Sequence, residues 1–158
     1  MSVPEQNRGT WRDGWYVVPH QVLFRDIDAF GHVNNAVFFT YFELGRTQVW
    51  FDLNGWGGPR DINFIVAHAE CDFRMQLGMV PIEIRTRIGE IRNSSFDFHS
   101  EIRSNGGADL VATGKVVVVL FDWVRRTKVP IGEELRRKIG EKAGPGALQP
   151  SGNIGGST

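Results

Sequence analysis

One run, "NAVFFTYFELGRTQVWFDL" at 35–53, constrains the fold of this chain more than any other. Phe38, Tyr41, Phe42, Gly45 and Val49 recur at helical spacing, while Thr40, Glu43 and Thr47 leave only a narrow polar strip. The first turns are apolar almost all round. Such a helix is stable only when most of its sides are covered, so the rest of the chain has to supply the cover. "NGWGGPRD" then ends it, because Asn, Gly and Pro interrupt helical periodicity.

The flanking segments read as strands. "WYVVPHQVLFRD", from Trp15 to about Asp26, is rich in β-branched and aromatic residues. "INFIVAHAECDFRM" is a long mixed run. In "PIEIRTRIGEI", Ile82, Ile84, Thr86 and Ile88 alternate with Glu83, Arg85 and Arg87, and "SFDFHSEIR" repeats the pattern. "SNGGAD" is a hairpin turn by composition. "LVATGKVVVVLFDW" is apolar on both sides towards its end, so both faces call for cover. A charged helix follows at 132–142 and reads as lying on the outside. The order is strand, helix, four strands. The economical arrangement is α+β, an antiparallel sheet wrapped around one long central helix (βαββββ), because short hairpins can join the later strands. Residues 1–14 read as a flexible arm, 15–142 as a single domain, and 143–158, poor in large apolar groups, as a disordered tail.

Composition excludes several function classes. Eighteen Lys and Arg cancel eighteen Asp and Glu, so no net field favours nucleic acid or an anionic membrane. Cys71 is the only cysteine, which rules out an internal disulfide and a cysteine-rich metal site and suits a reducing compartment. Neither a signal peptide nor a run of roughly 20 apolar residues is present, so a cytoplasmic protein is expected. His20 and His99 lack neighbours at ligand spacing, and no metal site is expected. His68 and Cys71, three apart on one strand, point to opposite faces and make no nucleophile pair.

The chemistry gathers just before the helix, in "RDIDAFGHVNNAVFF" at 25–39. A helix start offers main-chain N–H groups without internal partners and partial positive charge. Gly31 allows unusual backbone angles and close approach, and Asn34 and Asn35 suit the cap and the first turn. Together they form an amide-lined site for a negatively charged oxygen. Asp28 projects from the same segment, and a carboxylate beside such a site is minimal equipment for acyl transfer, as nucleophile or as base towards water. Asp26 reads as structural, orienting the loop or Arg25. His32 is open between hydrogen-bonding the loop, orienting Asp28 and touching substrate. Phe30, Phe38, Phe39 and Tyr41 form an aromatic entrance to an apolar group, or simply core. Glu43 and Arg46 are spaced to pair, and read as fixing a subunit contact, with Glu43 reaching the site as the lesser alternative. Arg85 and Arg87 line one strand face, which is either solvated or a contact for phosphates.

The motif "D-x-D-A-x-G-H-V-N-N", followed by an aromatic helix with "FELGR", resembles the 4-hydroxybenzoyl-CoA thioesterase-like acyl-CoA thioesterases of the hotdog fold. The resemblance extends from about residue 17 to 130. It implies Asp28 as the catalytic carboxylate and a main-chain amide near Asn35 as the holder of the thioester carbonyl. It also implies sites between subunits of a dimer or tetramer, and an acyl-CoA that is substrate rather than retained cofactor. The region is similar as well to plant acyl-ACP thioesterases, whose asparagine and histidine follow the aspartate by two and four residues; here those positions are Phe30 and His32. The leading expectation is thioester hydrolysis. Its rivals are a hotdog hydratase or dehydratase using His32 with Asp28, and an acyl-CoA-binding module without catalysis.

Overall fold

The computed structural model describes residues 3–143. Nine regular elements follow in the order β1 (Thr10–Arg12), β2 (Trp15–Gln21), α1 (Asn35–Asn54), β3 (Phe64–Phe73), β4 (Pro81–Ile91), β5 (Ser95–Ser104), β6 (Asp109–Asp122), β7 (Thr127–Lys128) and α2 (Glu133–Ala143). The strands form one antiparallel sheet in the order β1-β2-β4-β5-β6-β3, with β7 added to β6. This is the hotdog arrangement, with β1 and β7 added to the expected strands.

The helix and the sheet specify each other through the alternation seen in the sequence. Ile82, Ile84, Thr86 and Ile88 of β4, with Phe96, Phe98 and Ile102 of β5, point inward and are buried. Against them α1 sets Phe38, Tyr41, Phe42, Gly45 and Val49, also buried. Gly45 marks the closest approach: a methyl group there would collide with Thr86 Oγ1 and touch Ile84 Cγ2 at 3.0 Å. Gly114 of β6 makes the same concession to the ring of Phe42.

Cover is less complete than the apolar helix suggests. A single sheet shields one side of α1, and Phe39 remains 38% exposed on another. On β6, Val116 and Val118 are buried inward, but Val117 and Val119 on the outer face are only half-buried. β3 is an edge strand, exposed over most of its length.

Three segment readings are corrected. Residues 3–14 are not a free arm. Gln48, buried in α1, accepts the Gly9 N–H at 2.9 Å and donates to Asn7 O at 3.2 Å. The Trp11 indole donates to Asp52 at 2.8 Å, and β1 pairs with β2. Within the polar stretch the anchored groups are the main chain of Asn7 and Gly9 and the lone Trp11 side chain, so composition hides them. The first strand stops at Gln21 and not at Asp26, because residues 24–26 turn into a short 3-10 segment. The charged helix α2 does not lie wholly outside: Ile139 is buried and Lys142 reaches Asp52 at 4.0 Å. The tail expected from 143 onward lies, beyond Ala143, outside the described residues.

Gly45→Ala is expected to destabilise the fold by about 1–3 kcal/mol through overpacking against β4, read by urea denaturation. Ala substitution at exposed Thr40, one turn earlier, should be close to neutral by the same measurement.

Candidate active site

The segment 22–34 is held in place before it does anything chemical. Asp26 is 9% exposed, and its Oδ2 accepts the Leu23 N–H and the Tyr41 hydroxyl, each at 2.9 Å. Its carbonyl accepts the Asn34 N–H at 2.9 Å. One residue therefore ties the segment to itself, to α1 and to the helix cap. Burial and the Asp26 carboxylate both push the Tyr41 phenol up, so it stays a neutral donor. His20 lies with its ring 5.2 Å from that of Tyr41, and burial lowers its pKa. Asp26 is structural, as expected.

Beyond Asp26 the chain makes a narrow loop. Ile27 and Val33 pair as an isolated bridge, Asp28 N–H donates to His32 O at 2.9 Å, and Gly31 N–H donates back to Asp28 O at 3.0 Å. Gly31 sits at φ 81°, in the left-handed region that suits glycine. The Asp28 side chain braces the turn, its Oδ1 accepting the Phe30 N–H at 2.8 Å. Its Oδ2 has no hydrogen-bond partner among the described residues. Val33 N–H donates to Leu77 O at 2.8 Å, which docks the loop on the 74–80 segment.

At Asn34 the loop becomes helix. The Asn34 side chain accepts the Ala36 N–H at 2.9 Å and its carbonyl accepts the Val37 N–H at 2.9 Å. The Asn35 N–H, first of the helix, has no acceptor among the described residues. Asp28, His32, Asn34 and Asn35 all line one cavity of about 540 Å³. The residues that carry the carboxylate and the free amide thus line the same space.

The remaining expected residues divide. Phe38 lines the cavity, its ring edge-on to Phe73 at 5.3 Å, and Phe30 stands at the rim, 86% exposed. Gly31 shapes the turn and is not part of the wall. Asp28 and His32 are joined by a main-chain bond, with no hydrogen bond between their side chains. Glu43 and Arg46 do pair, at 3.3 Å, leaving the buried Arg46 Nε without an acceptor among the described residues. Arg85 and Arg87 do not line the cavity. Arg85 is held by Glu83 at 2.6 and 2.9 Å, and Arg87 lies over the Trp15 ring at 4.6 Å. Both belong to the outer face of the sheet, committed to neighbours that alternation alone cannot reveal.

What sequence reasoning missed is the opposite wall, supplied by Phe73, Arg74, Met75, Gln76 and Leu77. Arg74 brings a cation to the cavity, with no ion pair among the described residues. Phe73 ends β3, the others follow it in sequence, and they carry no motif; the pairing of β3 with β6 and the Val33–Leu77 hydrogen bond bring them across. Among the described residues no group of three or more His, Cys, Asp or Glu is placed to hold a metal, and no helix is long and apolar enough to cross a membrane.

Comparison with known proteins places the chain in a family. A family model, the thioesterase-like superfamily, matches residues 22–139. YsmA, an uncharacterized protein of Bacillus subtilis (strain 168), is 30% identical over 99 residues, 62% of this chain and 67% of that protein. Among solved structures, a thioesterase from Thermus thermophilus complexed with coenzyme A and Zn is similar with a TM-score of 0.71 and 29% identity, over 80% of this chain and 92% of that one. A predicted thioesterase from Bacillus stearothermophilus shares the fold with a TM-score of 0.76 and 24% identity, over 87% of this chain and 99% of that one.

Tyr41→Phe tests the anchor. It leaves a buried carboxylate short of a donor, and is expected to lower stability by about 1–3 kcal/mol in urea denaturation. The Leu23 and Asn34 amides should also exchange faster with solvent deuterium. A variant as stable and as protected as the wild type would remove Asp26 from this role.

Proposed function

Because the chain belongs to the thioesterase-like superfamily and is a thioester hydrolase, we propose that its substrate is an acyl-CoA, with Asp28 as the reacting carboxylate and the Asn35 N–H as the group that binds the carbonyl oxygen. The observation that carries this reading is the shared cavity, lined both by Asp28, which has a carboxylate oxygen without a partner among the described residues, and by Asn35, whose helix-start amide is unpaired among them. The likeness to a thioesterase complexed with coenzyme A supports CoA as the carrier.

The chemistry follows from charge. Attack on the thioester carbonyl drives negative charge onto its oxygen. The Asn35 N–H, backed by the positive end of α1, stabilises that charge where it develops. Asp28 delivers the attacking oxygen, its own or that of a water it deprotonates. The carbon–sulfur bond breaks, and CoA leaves as a thiolate that takes up a proton. Oδ1, fixed by the Phe30 N–H, holds the carboxylate in position while Oδ2 faces the reaction. A hydratase would need an imidazole and carboxylate acting as a pair, and residues 28 and 32 meet only through the main chain.

The wall of Phe38, Phe73, Met75 and Leu77 suits an apolar acyl group, while Arg74 and Gln76 suit the polar carrier. A second copy of the chain completes the assembly. β3 presents an unpaired edge; Val66 and Phe73 on it are 46% and 45% exposed, beside half-covered Phe39. With a CoA ester as substrate, the compartment is the cytoplasm.

A thiol-release assay over short, long and aryl acyl-CoA esters tests the proposal. Asp28→Asn is expected to lower kcat by about 10²–10⁴-fold with KM little changed. Direct attack leaves the acyl group as an anhydride on Asp28, which water then hydrolyses. Label found in the enzyme carboxylate after single turnover in ¹⁸O-water establishes that route, since a water deprotonated by Asp28 labels only the acid product. Undiminished thiol release by Asp28→Asn would refute the assignment.

A further inference from the structure

The large apolar side chains left exposed are not scattered. Six of the twelve among the described residues, Leu23, Phe24, Phe30, Met75, Met79 and Val80, sit on two short segments, 22–34 and 74–80. Phe24 is 83% exposed and Met79 58%. The two segments lie together at one end of the sheet. Gln21, the last residue of β2, pairs with Pro81, the first of β4, and the Val22 N–H donates to Val80 O at 3.2 Å. The 74–80 segment crosses the same end of the sheet, from the close of β3 to the start of β4. The main chain here is largely committed: the Val22, Phe30, Gly31, Val33 and Val80 N–H groups all donate within the two segments. What the patch offers a partner is therefore apolar side chains, with no strand edge to extend.

Charge says what kind of partner this is. The whole chain is balanced, but these segments are not balanced on their outside. Arg25 and Arg74 are exposed and form no ion pair among the described residues. Of the carboxylates, Asp26 is buried and spent on hydrogen bonds, and Asp28 is half-buried in its own turn. Projecting Phe, Leu and Met side chains with cations among them suit a lipid surface that carries anionic headgroups. A second copy of the chain is the rival occupant, and its place is the open β3 edge. β4 stands three strands from that edge, about 14 Å at the usual spacing, so pairing along β3 leaves Leu23, Phe24, Met79 and Val80 uncovered. We propose that this end of the molecule docks on an anionic membrane, with Phe24 and Met79 entering the headgroup layer and Arg25 meeting lipid phosphates. Phe30 and Met75 belong both to the patch and to the lining of the Asp28 cavity, so docking brings the mouth of that cavity to the lipid surface. The use of this for catalysis rests on the acyl-CoA reading; the docking does not.

Co-sedimentation with vesicles tests the proposal, using phosphatidylcholine alone and phosphatidylcholine mixed with phosphatidylglycerol. The wild type is expected to bind the mixed vesicles about fivefold or more tightly than the neutral ones at low salt, and to lose that margin as salt is raised. Phe24→Ser/Met79→Ser should weaken binding to both kinds of vesicle by about tenfold or more. Arg25→Ser should weaken binding to the mixed vesicles alone, by about fivefold. None of these three residues lines the Asp28 cavity, so thiol release from a short, soluble acyl-CoA should match the wild type in both variants. Asp28→Asn should bind vesicles as the wild type does, which separates failure of the docking from failure of the acyl-CoA reading. A wild type that stays in solution with both kinds of vesicle, or variants that bind as it does, overturns the proposal. So does a fall in oligomer mass for Phe24→Ser/Met79→Ser in sedimentation equilibrium, because the patch would then belong to a contact between copies of the chain.

Discussion

Everything at the candidate site depends on how the segment before α1 is fastened to the helix. Asp26 does this with three contacts: the Leu23 amide, the Tyr41 hydroxyl and, through its carbonyl, the Asn34 amide. A buried carboxylate without donors would be costly, so the hydrogen bonds and the burial require each other. The consequence is geometric. Asn34 is fixed where α1 begins, and Asp28, two residues beyond Asp26, is carried to the cavity that the helix start faces.

The two carboxylates therefore divide the work by environment. Asp26 is spent on hydrogen bonds and has no freedom left. Asp28 uses one oxygen to brace its own turn and keeps the other available. The same turn needs the left-handed backbone at Gly31, so the glycine of the motif serves the carboxylate through shape and not by lining the cavity. The sheet adds a second consequence. It covers one side of α1 and leaves β3 as an open edge, so the candidate site lies beside that edge.

Much of the fold was legible because its periodicities are strong. The alternation of Ile82, Ile84, Thr86 and Ile88 predicts the face that meets α1, and the helix at 35–53 matches Asn35–Asn54 almost to its ends. The site was half legible. The near wall is contiguous in sequence, with a recognisable motif; the far wall, with Arg74 and Met75, arrives through strand pairing and has no local signature. For Arg85 and Arg87 the alternation reports only which face they occupy, and not that Glu83 and Trp15 already hold them. The N-terminal residues misled for a related reason: a polar stretch is pinned by Gln48 and Asp52 on a helix far along the chain.

The central claim is that the first amide of α1 polarises a thioester carbonyl opposite Asp28, and one substitution isolates that N–H. Asn35 is the first helical residue, a position proline tolerates, and Asn34 at φ −59° and ψ 135° already has the backbone that a following proline requires. Asn35→Pro deletes the donor and keeps the helix, whereas Asn35→Ala deletes the side chain and keeps the donor. The measurement is kcat for thiol release from an acyl-CoA by both folded variants. The account predicts a loss of about 10²–10³-fold for proline and near wild-type turnover for alanine. Undiminished turnover in the proline variant would contradict it.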